Sequence, residues 1–381
     1  KPHKTVAADY YLSPTGNDVT GNGTLASPWF SLNKAWTVVA AGDRIYMRGG
    51  TYTYTVQQYL TGKNGADANN RIVVLPYQNE VPVITRGVTF DKNAGHARGM
   101  VVVQANFTRF YKIRFTGMTT DDNSVDDAFL VRNSNNNIFE QLECDNSVHG
   151  MYIEGNSNNN LVLNCDFHDN YSNYAGTNGG NSDGIAIAFI TNSSATNYVR
   201  GCRAWNNGDD GFDTFDSDGT VEFDSCWSWH NGYFFGTNTV AGDGDGFKLH
   251  IDLAGSGAFT NIIKRRVRNC LSFYNKNTGY HQEEGNCRME LYNNVAFDNK
   301  IHGFFFNHST NNAHILRNNV SYGNDNDQII LVTPNSNAVH TNNSASGTID
   351  EPGWTDNVSN ADFQSVISTD YLNARQSNGT L

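Results

Sequence analysis

The chain has 381 residues and a formal net charge of −12 at neutral pH, and no basic stripe runs along it, which argues against a nucleic-acid partner. No apolar run approaches the ~20 residues that are needed to cross a membrane. The 18 Tyr, 22 Phe and 6 Trp are too many for a disordered chain.

The sequence begins with Lys1 rather than Met, which fits removal of a secretory signal. We therefore expect a secreted or extracytoplasmic protein, either periplasmic or at the cell surface, and a monomer. An acidic protein is poorly suited to a polyanionic substrate unless a metal ion supplies local positive charge.

Residues 1–52 have the features of a cap. Between two short strand-like runs, apolar residues recur at helical spacing: Leu32, Ala35, Trp36 and Val39. This pattern predicts a short amphipathic helix that covers one open end of a repeat fold, whose terminal edge needs protection.

From about residue 53 to residue 345 the chain consists of short β-rich runs separated by Asn, Gly and Asp turns. Six similar six-residue segments end in Asn170, Asn207, Asn231, Asn275, Asn299 and Asn324. They start 24 or 25 residues apart, except for two longer intervals of 37 and 44 residues. This period is typical of a parallel β-helix, since a propeller blade is nearly twice as long. We expect one all-β solenoid domain over residues 1–381, with a tail from about 346.

Coils of a β-helix stack about 4.8 Å apart, so equivalent side chains lie directly above one another. The recurrent Asn residues can therefore form an internal hydrogen-bonded ladder at a bend. The same stacking places Cys202 and Cys226 on neighbouring coils, within disulfide range but pointing in the same direction. Buried free thiols are the favoured interpretation for the six cysteines, and the absence of a CxxC pair argues against zinc.

One strand in each coil begins with a glycine followed by a large apolar residue, at Gly150, Gly184, Gly211, Gly246, Gly279 and Gly303. Because side chains alternate along a strand, the apolar residue faces the core and the next residue faces outward. In coil order the outward residues are Tyr152, Ala186, Asp213, Lys248, His281 and Phe305. The residues before the glycines are His149, Asp183, Asp210, Asp245, Thr278 and His302.

Carboxylates gather on this face, which we expect to be exposed. Asp183, Asp210 and Asp213 lie on neighbouring coils, and Asp209 lies just behind them. Carboxylates so close together repel one another unless a cation lies among them. Their hard oxygen ligands suit calcium, whereas the His and Cys ligands that zinc prefers are missing. The arrangement predicts a calcium site, although an isolated Asp-Gly pair is more often a simple turn.

Lys248 lies one coil from Asp213. The simplest interpretation is a solvated ion pair. Beside a divalent cation, however, the neutral form of a lysine is favoured, which makes Lys248 a candidate general base. A calcium ion bound to a substrate carboxylate also acidifies the proton on the adjacent carbon. These two features favour β-elimination from a uronic acid polymer.

Two other functions stay open. A pectin hydrolase on the same fold would use only carboxylates and would not need the lysine. A non-catalytic carbohydrate-binding solenoid would contain the acids with a purely structural calcium ion. Residues that could line a sugar groove in any of these cases are Tyr233, Phe234, Asp245, His281 and His302, although each is individually more typical of packing or an ordinary surface.

Three motifs resemble those of the family 9 polysaccharide lyases. They lie at residues 201–205 (Gly-Cys-Arg-Ala-Trp), at 209–217 (Asp-Asp-Gly-Phe-Asp-Thr-Phe-Asp-Ser) and at 241–249, which ends in Gly-Phe-Lys-Leu. The resemblance covers most of the chain and implies a right-handed parallel β-helix enzyme of the pectate lyase type. In that family the acids matching Asp183, Asp209, Asp210 and Asp213 bind calcium. The lysine matching Lys248 abstracts the proton from C5.

The resemblance implies an acidic plant cell-wall substrate, either polygalacturonate or the rhamnogalacturonan backbone. The chain departs from the pectate lyase pattern at two places near the predicted groove. Residues 185–189 read Ile-Ala-Ile-Ala-Phe where Phe-Gly and a nearby Lys are common. Residues 279–284 read Gly-Tyr-His-Gln-Glu-Glu where a more neutral segment is common. Loss of a basic subsite would suit a less charged polymer, so both polymers stay candidates.

Overall fold

The computed structural model of the protein describes residues 7–88, 98–118, 127–172, 178–234, 236–251, 262–285, 287–306, 314–331, 339–347, 353–363, 375–376 and 379–380. Short strands separated by Asn and Gly bends wind into three sheets of 12, 12 and 10 strands among the described residues, and the central coils add one strand to each sheet. Successive coils pair in parallel, as between residues 196–200 and 220–224. The predicted all-β parallel β-helix is confirmed.

The first sheet contains Asp9–Leu12, Arg44–Met47, Ile72–Pro76, Thr108–Tyr111, Ile138–Glu140, Leu161–Leu163, Thr196–Arg200, Thr220–Asp224, Ile263–Arg268, Arg288–Tyr292, Ile315–Arg317 and Val339–Thr341. The second sheet contains Gly50–Tyr54, Pro82–Arg86, Arg114–Thr116, Glu143–Asp145, Asp166–His168, Arg203–Trp205, Trp227–Trp229, Leu271–Phe273, Val295–Phe297, Val320–Tyr322, Asn343–Ala345 and Trp354–Asp356. The third sheet contains Gln58–Thr61, Gly99–Gln104, Asp127–Arg132, His149–Gly155, Ile185–Ile190, Phe212–Asp213, Phe247–Lys248, Tyr280–Gln282, His302–Phe306 and Asp327–Leu331.

The inward side of the third sheet is an aromatic stack. The rings of Phe212 and Phe247 lie 4.7 Å apart, those of Phe247 and Tyr280 5.0 Å, and those of Tyr280 and Phe304 4.8 Å. All four side chains are completely buried. They are the large residues that follow the glycines, so the predicted inward positions are confirmed. This stack fixes which residues of the sheet face outward.

The predicted asparagine ladder is also present. The Asn207 side-chain amide donates to Asn231 Oδ1 at 2.9 Å, and Asn231 donates in the same way to Asn275 at 2.9 Å. The same contact joins Asn275 to Asn299 at 3.0 Å. The residues just before these asparagines have a positive φ, 53° at both His230 and Tyr274, so the ladder serves the bend between the second and third sheets. Each such hydrogen bond contributes about 1 kcal/mol net.

Four of the cysteines, Cys165, Cys202, Cys226 and Cys270, belong to a second ladder, at the bend between the first and second sheets. The structure has all six as free, buried thiols. The backbone N–H of Cys226 donates to Cys270 Sγ at 3.4 Å, and that of Cys270 donates to Asn294 Oδ1 at 3.0 Å. Asn294 then continues the column to Asn319. Thiol and amide thus occupy equivalent positions, while Cys287 lies outside the column, as expected.

The predicted cap helix is present but short. It spans Leu32–Trp36, begins after Ser31, whose hydroxyl accepts a hydrogen bond from the Lys34 N–H, and packs against strands of the first and third sheets. Val39 lies beyond its end but is buried as the pattern requires. Strands occur on both sides of the predicted boundaries at residues 52 and 345, and the division into cap, coils and tail stays a prediction. No helix among the described residues is both long and apolar enough to span a membrane.

Candidate active site

The outward-facing residues of the third sheet lie in the register that the glycine alignment predicts. In coil order the column contains Tyr152, Ala186, Asp213, Lys248, His281 and Phe305. Asp213 pairs directly with Lys248 across two neighbouring strands. The prediction that distant parts of the sequence meet on this face is confirmed.

A cleft of about 700 Å³ lies over the middle of the column. Residues 178–181 and 241–243 contribute to its walls, and both segments belong to the two long coils of the repeat. Its described lining residues are Arg98, His149, Tyr152, Asn178, Gly180, Asn181, Asp183, Phe189, Asp209, Asp213, Phe215, Ala241, Gly242, Asp243, Lys248, Lys276 and Glu283. The expectation of an exposed face was wrong, because these segments enclose the acids in a cleft.

The four predicted ligands are nearly inaccessible to solvent. Asp183 is 3% exposed, Asp209 and Asp213 are 7% exposed, and Asp210 is fully buried. One carboxylate oxygen from each of Asp183, Asp209 and Asp210 lies within 4.8 Å of the other two. Asp213 is not part of this compact group of three, but it lines the same cleft.

Backbone N–H groups of adjacent coils hold these acids in place. Asp183 Oδ1 accepts a hydrogen bond from the Asp210 N–H at 3.0 Å, and Asp210 Oδ1 accepts one from the Asp245 N–H at 2.6 Å. These bonds cross between coils, unlike the local bond that an Asp-Gly turn makes. Asp210 Oδ2 and Asp213 Oδ1 are buried without a hydrogen bond in the described part of the protein. The carboxylates are thus fixed while acceptor atoms stay available.

The electrostatics of the acids fit a cation. Burial and the charge of Asp183 raise the pKa of Asp209 to about 7. Burial and neighbouring charges hold the pKa values of Asp210 and Asp213 well above the ordinary range. Buried carboxylates ionise together only if positive charge compensates them. Aspartate oxygens with unpaired acceptor atoms are suitable calcium ligands.

Lys248 is buried beside the acids and lines the cleft. Its Nζ lies 3.0 Å from Asp243 Oδ2, 3.3 Å from Asp210 Oδ2 and 3.4 Å from Glu283 Oε1. Burial lowers the pKa of Lys248, but the charges of Asp210, Asp213 and Glu283 outweigh it and raise the pKa above its ordinary value. The lysine therefore stays protonated as long as these carboxylates are uncompensated.

Glu283 and His250 form a network that sequence reasoning missed. His250 Nδ1 lies 2.9 Å from Glu283 Oε2, and its Nε2 lies 3.0 Å from Asp216 Oδ1. Burial raises the pKa of Glu283, but the hydrogen bond to His250 and the charge of Lys248 lower it to about 2. The sequence signal was the unusual acidic pair at 283–284, which did not reveal a contact with the lysine.

A second missed group lies on the other side of the acids. His149 Nδ1 is 2.8 Å from Asp127 Oδ1, and its Nε2 is 3.5 Å from Asp183 Oδ2. Burial lowers the pKa of His149, but the two carboxylates outweigh this effect and raise it to about 9. His149 stands first in the column that precedes the glycines, so the alignment contained a signal for it. Asp127 lies on a separate coil and had none.

Two of the candidate sugar-binding residues pair with each other. His281 Nδ1 lies 2.7 Å from Asp245 Oδ2, and Asp245 Oδ1 accepts a hydrogen bond from the Thr278 N–H at 3.0 Å. Asp245 is 1% exposed, so its carboxylate supports the turn between neighbouring coils. Neither residue is among the described residues that line the cleft.

The other candidates also lie outside that lining. The Tyr233 ring stacks on His230 at 4.6 Å, and Phe234 packs on Tyr171 at 5.1 Å. The His302 ring lies 4.8 Å from that of Phe305. A substrate-binding role for these residues stays a prediction.

Comparison with known proteins identifies the class of this parallel β-helix. The model of the Pel9A-like, right-handed β-helix region matches residues 10–343, and the chain belongs to that family. The resemblance to family 9 polysaccharide lyases and the right-handed coiling are thereby confirmed.

Individual relatives carry specific names. The chain is 27% identical over 330 residues to pectate lyase L of Dickeya dadantii, covering 82% of this chain and 70% of that protein. A solved structure of a rhamnogalacturonan lyase superposes with a TM-score of 0.81 at 26% identity, covering 98% of this chain and 95% of that one. The crystal structure of pectate lyase Pel9A gives a TM-score of 0.75 at 26% identity, covering 99% and 88%.

Proposed function

We propose that the protein is a calcium-dependent polysaccharide lyase that cleaves a galacturonate-containing pectin backbone, polygalacturonate or rhamnogalacturonan, by β-elimination. The observation that carries this proposal is the position of Lys248, a buried lysine that lines the cleft within 3.3 Å of the acid cluster. The names of its relatives, pectate lyase and rhamnogalacturonan lyase, support the same class of reaction.

Asp183, Asp209, Asp210 and Asp213 are the residues that would hold calcium. Their buried oxygens support that role, and two of these, on Asp210 and Asp213, accept no hydrogen bond from the described residues. Calcium bound there would neutralise Asp210 and Asp213, two of the carboxylates that raise the pKa of Lys248, and would draw electron density from a substrate carboxylate, which acidifies the proton on C5.

Lys248 acts as the general base. In its neutral form, Nζ accepts the C5 proton of a galacturonate residue, and the electron pair of that C–H bond forms the C4–C5 double bond. The bond from C4 to the glycosidic oxygen breaks, and the leaving oxygen takes a proton from solvent. Burial would favour the neutral amine only once calcium compensates the aspartates, and the contacts to Asp243 and Glu283 hold the side chain in place.

Assays on two polymers distinguish this function from its alternatives. Incubation with polygalacturonate and with rhamnogalacturonan, each with calcium, should yield an unsaturated product that absorbs in the ultraviolet. New reducing ends without absorbance would identify a hydrolase, and neither signal would leave a binding protein. Because its substrate is a cell-wall polymer, we retain the prediction of a secreted protein.

A further inference from the structure

The positive charges that line the cleft are not equivalent. Arg98 lies 4.0 Å from the buried carboxylate of Asp127, and Lys248 contacts three carboxylates. Lys276 instead donates hydrogen bonds to two neutral groups, the carbonyls of Ala241, at 3.4 Å, and of Gly242. Within the described residues its ammonium forms no direct ion pair with a carboxylate.

The fold makes room for this lysine. Lys276 directly follows the ladder residue Asn275, and its stem lies over Gly232 and Gly244, whose φ values are +86° and +80°. A Cβ atom at Gly232 would come within 2.7 Å of the Lys276 Cβ, and one at Gly244 within 2.8 Å. Two glycines on neighbouring segments thus allow the side chain to reach the wall of the cleft.

The next coil shows what a lysine does without this arrangement. Lys300 follows the next ladder residue, Asn299, but its side chain is 51% exposed and pairs with Asp325 at 3.3 Å. It is not among the described residues that line the cleft. The two lysines thus occupy equivalent positions, but Lys276 lines the cleft without an ion pair among the described residues, whereas Lys300 lies outside the cleft lining and pairs with Asp325.

We propose that Lys276 binds a second carboxylate of the substrate chain, on a uronate residue other than the one whose C4–O bond breaks. This inference rests on the proposed function. A half-buried ammonium that is held by neutral carbonyls is already oriented, so little side-chain entropy is lost when an anion binds. The calcium cluster serves the reacting uronate, while Lys276 serves a neighbouring subsite.

The test compares Lys276→Gln with Lys300→Gln, which removes the same charge one coil away. On the polymer that the enzyme turns over, Lys276→Gln should raise KM about tenfold with kcat changed less than twofold, because a charged hydrogen bond to the substrate is lost. Lys276→Arg should retain most of the affinity. Lys300→Gln should behave like the unsubstituted protein.

Salt dependence separates substrate binding from a purely structural role. Binding of a polyanion weakens as salt screens each contact. The dependence of kcat/KM on salt should therefore be shallower for Lys276→Gln than for Lys300→Gln.

Equal KM values and equal salt dependences in an active enzyme would overturn the Lys276 proposal alone. A fall in kcat without a change in KM would assign Lys276 to anchoring the 241–243 segment and would also overturn it. Absence of ultraviolet-absorbing product from the unsubstituted protein on both polymers would refute the proposed function and this inference with it.

Discussion

The asparagine ladder and the acid cluster are both columns of buried polar side chains, but they satisfy their hydrogen bonds differently. An amide carries both donors and acceptors, so identical residues such as Asn207, Asn231 and Asn275 satisfy one another from coil to coil. An ionised carboxylate is only an acceptor, so among the described residues Asp213 Oδ1 and Asp210 Oδ2 are buried without a hydrogen bond, and Asp210 Oδ2 contacts only the Lys248 ammonium, at 3.3 Å. One column completes its own hydrogen bonds, whereas the carboxylates of the other are left to Lys248 and to the calcium ion that we propose.

The largest expected effect is on the reaction. Lys248→Ala removes the proposed base, and turnover should fall about 10²- to 10⁴-fold. Ultraviolet absorbance of the product measures this loss, and thermal unfolding with and without calcium checks that the site still binds the ion. A variant that keeps most of its turnover would remove Lys248 from the role of base.

Placing a carboxylate in the amide column should damage folding instead. Asn231→Asp removes the side-chain donor to Asn275 and buries a charge, which should cost about 3 kcal/mol of unfolding free energy. Urea unfolding measures the cost. Asn293→Asp makes the same change in an exposed row, where Asn293 donates to Asn269, and should stay within about 0.5 kcal/mol. Equal destabilisation of the two variants would contradict the ladder argument.

Placing an amide in the acid column should increase stability when no metal is bound. Asp213→Asn removes one uncompensated buried charge and should raise the unfolding temperature in chelator by a few degrees, equivalent to about 1 kcal/mol. It should also reduce the rise in unfolding temperature that calcium causes. Asp325→Asn, which changes an exposed acid paired with Lys300, serves as the control. If calcium stabilised Asp213→Asn as much as the unsubstituted protein, Asp213 would not be a ligand.

The smallest expected effect is a pH trend. The folded-state pKa of Asp209 is about 7, above its ordinary value of 3.8. A raised pKa gives stability that is present below pH 3.8 and is lost as the pH rises through 7. In chelator, the unfolding temperature should therefore fall between about pH 4 and pH 7, and Asp209→Asn should flatten the fall. Glu283, whose pKa is lowered from 4.5 to about 2, loses its contribution only below this window. An unfolding temperature that rises between about pH 4 and pH 7 would argue against a raised pKa of Asp209.

Much of this architecture was predictable because stacking translates a sequence period into positions in space. The glycine-led alignment placed Asp213 beside Lys248, since a large residue after each glycine must face the core. The amide ladder followed from the recurrence of Asn. Contacts made by segments outside the strands were not predictable, among them those of Glu283 and Asp243 with Lys248. No period relates those residues, and their positions depend on how the connecting segments fold.

Burial of the acids was missed for a related reason. Side-chain alternation along a strand predicts which residues face outward, but it does not predict what covers them. The segments that cover the acids lie between strands. The intervals of 37 and 44 residues, set against the usual 24 or 25, were the available signal for those walls. They locate the additional residues but not the direction in which those residues extend.

In the two long coils, the strands must keep their register, whereas the segments between the strands can change in length. Strands, ladders and the Asp–Lys column stack in register, and a residue inserted within a strand would turn the rest of that strand to the opposite face unless a bulge absorbed it. Residues 178–181 and 241–243 lie between strands, where insertions and deletions leave that register unchanged. The Asp–Lys column can therefore stay constant while the cleft walls change in length, so that one stack of coils can present clefts of different shape.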